Sequence, residues 1–190
     1  MFTSKTAHSY PLRSLTPGQE EEAIEYTIKD HGIDDFLNNA SRKKIFFPTH
    51  QIISKEKYVS DMRFKAHVQK SLNLLRSNAP EYYSFFAQLN KTIRASNTSG
   101  ANRTNNSIDI GPRYFETSNA FLASMIIHET VHFWQYEKGY IEQLSDQDSE
   151  LEALKYQLNV LKLLDASKDE IQHIQKQRGT HTKVYRYSPW

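Results

Sequence analysis

Two histidines and a glutamate fall within five residues at His128-Glu129-Thr130-Val131-His132, inside a run of strongly helical character. Residues four apart share one face of an α-helix, so both imidazoles can reach a single metal ion. Glu129 lies about a quarter-turn round from them, where a metal-activated water needs a base. The chain has no cysteine, so disulfides and thiolate ligation are both excluded. An ion at this motif must be held by imidazole and carboxylate, a donor set suited to Zn2+.

Catalytic zinc usually has three protein ligands and one open position. The segment Ser149-Glu150-Leu151-Glu152-Ala153-Leu154-Lys155-Tyr156-Gln157 offers Glu150 and Glu152 as the third donor. At about 100° per residue, Leu154, Leu158, Leu161 and Leu164 share one side of a helix with Glu150 near their centre. Glu152 falls almost opposite, among Lys155, Tyr156, Asn159 and Leu163. A carboxylate in an apolar face is costly unless paired or metal-bound, which selects Glu150, with Glu152 as the alternative. The plain reading of Glu150 is a solvated acid near a helix N-terminus, favoured by the macrodipole.

The elements that must position these groups are mostly helical. Thr16-Pro17 followed by Glu20, Glu21 and Glu22 reads as a helix start, ending near His31-Gly32. Ile45-Phe46-Phe47 before Pro48 suits either a strand or a buried loop. Ser54 caps a long helix to about Arg76, and Ala79-Pro80-Glu81 opens another through Leu89. Residues 96–107 are polar and lack periodicity; they separate Thr92-Ile93-Arg94-Ala95 from the alternating Ser107-Ile108-Asp109-Ile110, which predicts a hairpin. After Gly111-Pro112, Ser118 or Thr117 caps the motif helix, which runs to Gly139. Its apolar residues point in nearly every direction, so it should be buried on most sides. Further helices are expected from about Asp148 to Leu164 and from Lys168 to about Arg178.

The sequence H-E-T-V-H-F-W-Q followed by E-L-E-A-L-K-Y-Q resembles the zincin metallopeptidases of the Glu-ligand type, and most of all small bacterial HExxHxxQ…ExEAxxxQ proteins. The resemblance covers about residues 107–165. It implies a zincin-like α+β fold, predominantly helical, with a small antiparallel sheet before the HExxH helix. One such domain would span residues 16–180, between an N-terminal arm (1–15) and a C-terminal tail (181–190). It also implies His128, His132 and Glu150 as zinc ligands and Glu129 as the general base that activates water and later protonates the leaving amine. Relatives often place an Asp four residues after the ligand Glu to orient a histidine. That position is Leu154 here, so the role passes to Gln157, Gln135 or a backbone carbonyl. Oxyanion stabilisation normally takes a donor besides the metal. His181 is the expected candidate, with Tyr185 and Tyr187 beside it in the tail and Tyr136 and Tyr140 nearer the motif. The strand Ser107–Ile110, if a sheet edge, would hold an extended peptide by strand addition.

Composition narrows the alternatives. The chain has 190 residues, and its 24 basic residues against 22 acidic give a net charge of +2. That balance provides no field for nucleic acid or an anionic membrane. The N-terminus has no apolar h-region, and no stretch of 18 apolar residues occurs. The expectation is a cytoplasmic protein, or one exported without a cleavable signal, acting on a peptide or protein substrate; oligomeric state is not encoded in any recognisable pattern. Two other readings stand beside a peptidase: an inactive zinc-binding module of the same fold, and a helical interaction domain carrying the motif by accident. Glu129 favours the first, because metal binding alone does not need it.

Overall fold

The computed structural model describes residues 32–40, 52–53, 59–89, 91–140 and 142–185, with side chains for 32–39, 62–89, 91–140 and 142–178. The expected N-terminal arm, the helix from Thr16 and the Ile45-Phe46-Phe47 segment lie outside them. The elements are α1 (Ile33–Ala40), β1 (Ile52–Ile53), α2 (Val59–Asn78), α3 (Pro80–Gln88), β2 (Thr92–Ala95), β3 (Gly100–Asn102), β4 (Ser107–Ile110), α4 (Asn119–Glu137), α5 (Asp146–Leu163) and α6 (Lys168–Tyr185). A short 3-10 turn, Pro112–Tyr114, joins β4 to α4. The fold is α+β and predominantly helical, as its sequence patterning predicts.

The sheet departs from expectation in two ways. Its order is β1-β2-β4-β3, with β1, β2 and β4 parallel and only β3 antiparallel, so it is mixed. Thr92–Ala95 and Ser107–Ile110 run side by side in the same direction and form no hairpin. Part of the polar segment between them becomes β3, pairing Gly100 with Asp109 and Asn102 with Ser107. Such a strand gives no hydrophobic signal, because its three residues sit half-exposed at the sheet edge. β4 is internal and buried along its length. The strands at the sheet's two edges are β1 and β3, and β3 is the one beside β4.

Helix α4 is the centre of the molecule. Ser118 caps it by accepting from the Phe121 amide at 3.0 Å, a bond worth about 1 kcal/mol. Fourteen of its side chains are buried, Leu122, Ile126, Ile127 and Val131 completely. It packs on α2, α3 and the sheet on one side and most extensively on α5 on the other. One apolar cluster runs from Ile33 through Phe64, Phe85, Ile93 and Ile108 to Tyr156 and Leu164. A second joins Phe121, Leu154, Leu158, Leu161 and Ile174, binding α4, α5 and α6 together.

The turn after α4 decides where α5 goes. Gly139 takes φ +70°; its amide donates to Tyr136 O and the Tyr140 amide donates to Gln135 O. These are the paired bonds of a Schellman stop, which favours Gly at that position. Ser145 then starts α5: its hydroxyl accepts from the Asp148 amide at 3.1 Å and donates to the Asp148 carboxylate at 2.8 Å. With this cap the helix begins at Asp146, slightly earlier than its apolar pattern indicates. α6 continues past Arg178 to Tyr185, so the backbone at His181 is helical rather than part of a tail.

Candidate metal centre

His128 and His132 project from one face of α4, and the first turns of α5 bring Glu150 opposite them. The two Nε2 atoms lie 3.1 Å apart. Glu150 places Oε2 3.5 Å from the first and Oε1 3.4 Å from the second. Ligands about 2.0–2.1 Å from a tetrahedral zinc are separated by about 3.3–3.4 Å, so this triangle has the dimensions of one face of such a site. The three groups can hold a metal ion, and they are the only such cluster among the described residues. Both histidines are largely buried, while Glu150 is 39% exposed.

One imidazole has a fixed proton arrangement. The Gln135 amide nitrogen donates to Ser149 O at 3.1 Å and to the Glu152 carboxylate at 2.8 Å. Its oxygen therefore faces His132 Nδ1, 3.1 Å away, and also accepts from the Ser149 hydroxyl at 2.6 Å. An acceptor at that position requires Nδ1 to carry the hydrogen, leaving the Nε2 lone pair directed at the cluster. His128 lacks this support, since its Nδ1 is buried without a hydrogen-bond partner among the described residues. Gln157 does not supply one; its amide reaches Ser124 at 3.5 Å. The donor set and spacing fit a zinc ion, and among the described residues only His132 has a hydrogen-bonded partner behind it.

Electrostatics reinforce the cluster. The imidazoles of His128 and then His132, in their protonated forms, hold the Glu150 carboxyl far below its usual range, outweighing its burial. Burial pushes the His132 imidazole down, but Glu150, Glu129 and Gln135 together raise it above its ordinary 6.5. Three facing polar groups of this kind need a shared cation or proton between them.

Glu150 meets the histidines, but not as the buried acid that a single apolar face of α5 predicts. Glu152 is the buried carboxylate, 1% exposed, and Glu150 is the open one. Helix α5 has no single buried face, because α4 and α6 cover it and bury it nearly all round. Glu152 accepts from the Gln135 amide at 2.8 Å. A third carboxylate, Glu129, is 8% exposed.

The centre opens on two sides. A cavity of about 720 Å³ is bounded by Tyr114, Phe121, Met125, His128, Leu154 and Ile174. A groove of about 420 Å³ is bounded by Gly100, Ala101, His132, Phe133 and Ser149. Ser99, Glu129 and Glu150 belong to both walls, so the cluster sits on the ridge between them, beside edge strand β3. Such volumes are typical of ligand-binding clefts.

Of the other expected polar donors, Tyr136 lines the groove beside His132, Glu129 and Glu150. The side chains of His181, Tyr185 and Tyr187 lie outside the described residues. The Tyr136 hydroxyl is buried without a hydrogen-bond partner among the described residues. Ser149 and Glu152 support His132 and its partner Gln135, and Tyr114 and Arg113 line the larger cavity; sequence spacing marks Glu152 only as an alternative metal ligand and the other three not at all. For Glu152, the signal was its i+17 relation to Gln135 across a Gly-Ser connection, legible only once α4 and α5 are known to be adjacent. Among the described residues no helix is long and apolar enough to cross a membrane. No protein-family model, curated protein or solved structure shows a significant match to this chain.

Proposed function

We propose that the protein is a zinc-dependent metallopeptidase of zincin-like fold. The observation that carries this reading is the triangle of His128, His132 and Glu150 beside an open cleft that also contains Glu129. A zinc ion held by those three residues would supply Lewis acidity, polarising a peptide carbonyl and acidifying water.

The chain's own groups account for the rest. Glu129 follows a ligand histidine on α4, at the wall common to both depressions. It takes the proton from the attacking water and delivers it to the departing amine. Gln135 and Glu152 keep His132 in the tautomer whose Nε2 faces the cluster. An extended peptide adds to β3, the antiparallel edge, by backbone hydrogen bonds, with side chains in the cavity on one side and the groove on the other. This moves the strand-addition role from Ser107–Ile110, which is internal, to Gly100–Asn102. Backbone-led binding makes an unstructured protein segment the preferred substrate.

The test is cleavage of casein by the zinc-loaded protein. Glu129→Gln should lower kcat by about 10²–10⁴-fold while retaining one zinc per chain. Wild-type protein that binds zinc but leaves casein intact would replace the peptidase reading with that of an inactive zinc-binding module.

A further inference from the structure

Tyr114 occupies the last position of the 3-10 turn before α4, and its backbone is held from both directions. Its amide donates to Gly111 O at 3.1 Å, and its carbonyl accepts the Thr117 hydroxyl at 2.9 Å. The ring stacks on Phe121, with centroids 6.2 Å apart and planes inclined by 20°. Phe121 itself is anchored in the cluster joining α4, α5 and α6. Tyr114 lines the cavity that His128, Glu129 and Glu150 also border. The hydroxyl is close enough to Glu129 and Glu150 to feel both charges.

The hydrogen bonding of that hydroxyl is asymmetric. A phenol has one donor and two acceptor positions. Arg113 Nη2 donates to the Tyr114 oxygen at 2.8 Å, and the guanidinium lies over the ring, 4.7 Å from its centroid. No acceptor among the described residues receives the phenolic proton. Arg113 has no carboxylate partner among those residues either, so the pair brings an uncompensated positive charge and a free O–H to the cavity wall. Burial raises the phenol above its ordinary 10.0, which keeps it protonated.

Resting on the peptidase reading above, we propose that Tyr114 is a catalytic residue: it donates a hydrogen bond to the scissile carbonyl oxygen as negative charge develops there, and Arg113 polarises it for that purpose. When water attacks, the new C–O bond displaces the carbonyl π electrons onto that oxygen, and the proton of the water goes to Glu129. The phenolic proton stays on Tyr114 throughout. A donor placed where charge grows is stronger in the transition state than in the ground state, so it acts on kcat. The role expected of His181 thus belongs to a residue on the opposite side of the motif in sequence, supplied by the turn that starts α4.

Full-length zinc-loaded protein, Tyr114→Phe and Arg113→Met would be compared on casein and on a phosphinic peptide that mimics the tetrahedral oxyanion. Tyr114→Phe should lose about 10²-fold in kcat with KM unchanged. Its affinity for the phosphinic peptide should fall by a similar factor, while zinc content and Tm stay at wild-type values because the stacked ring is kept. Arg113→Met should give a smaller loss of the same kind. Wild-type kcat in Tyr114→Phe, or a rise in KM alone, would overturn the assignment, as would lost zinc or a larger defect in Arg113→Met than in Tyr114→Phe. Wild-type protein that holds zinc but neither cleaves casein nor binds the phosphinic peptide would remove the peptidase reading itself. A cleaving wild type with an unimpaired Tyr114→Phe removes only the role of Tyr114.

Discussion

The two imidazoles of the centre are held unequally, and the difference can be measured. His132 is locked through Gln135 to Glu152 and Ser149, whereas His128 Nδ1 has no partner among the described residues. Second-sphere partners of metal-ligating histidines typically carry 10–100-fold in metal affinity. Gln135→Met is therefore expected to weaken zinc binding about 10–100-fold in a competitive chelator titration. Gln157→Met, at a residue that touches Ser124 and neither imidazole, should leave affinity unchanged. Equal effects of the two substitutions would contradict the tautomer argument. His128, Glu129 and His132 were legible because helical periodicity is local. The support of His132 was legible only as a choice between Gln135, Gln157 and a backbone carbonyl, since it depends on which residue of α5 faces α4. The two candidate acids show the same limit. Burial argued from one amphipathic face fails when a helix is covered on several sides, as α5 is.

Among the elements, the edge strand depends on one acid. Asp109 on β4 accepts from Arg94 Nε at 2.9 Å, Asn102 at 2.9 Å and Ser107 at 2.8 Å, with a further short contact from Arg94 Nη2. It thus ties β3 and β2 to the strand between them. Burial pushes its carboxyl up, but these donors outweigh burial and hold it below the ordinary 3.8. A lowered carboxyl pKa stabilises the fold above the unfolded value, and that contribution is lost as pH falls through the folded value. Asp109→Ala leaves the Arg94 guanidinium without its carboxylate and should lower stability in urea unfolding at pH 7. The gap from wild type should narrow below pH 3.8; a gap unchanged across that range would show that the ion pair contributes nothing. β4 was legible from its alternation, but β3 was not, because Gly-Ala-Asn has no apolar face to detect. The parallel pairing of β2 with β4 was hidden for the same reason: three polar half-exposed residues look like the tip of a loop. Helix α4, with its cap, its all-round burial and its Gly stop, could be read almost completely.

At the scale of the whole molecule, a continuous core extends from α1 to the end of α5, and the centre lies at its margin, where α4 and α5 meet β3. The rigid framework fixes the histidines from one helix and Glu150 from the next, and their separation is set by the Schellman turn and the Ser145 cap between them. A site made from two adjoining helices should couple metal binding to folding, because the ligands converge only in the native state. The most direct measurement is zinc stoichiometry by elemental analysis of metal-reconstituted, desalted protein, in wild type, His128→Ala and Glu150→Ala, with the folded state of each confirmed by circular dichroism. One tightly held zinc per wild-type chain, lost in both folded variants, is the expected result. Folded wild-type protein without stoichiometric zinc, or variants that retain it, would contradict the account.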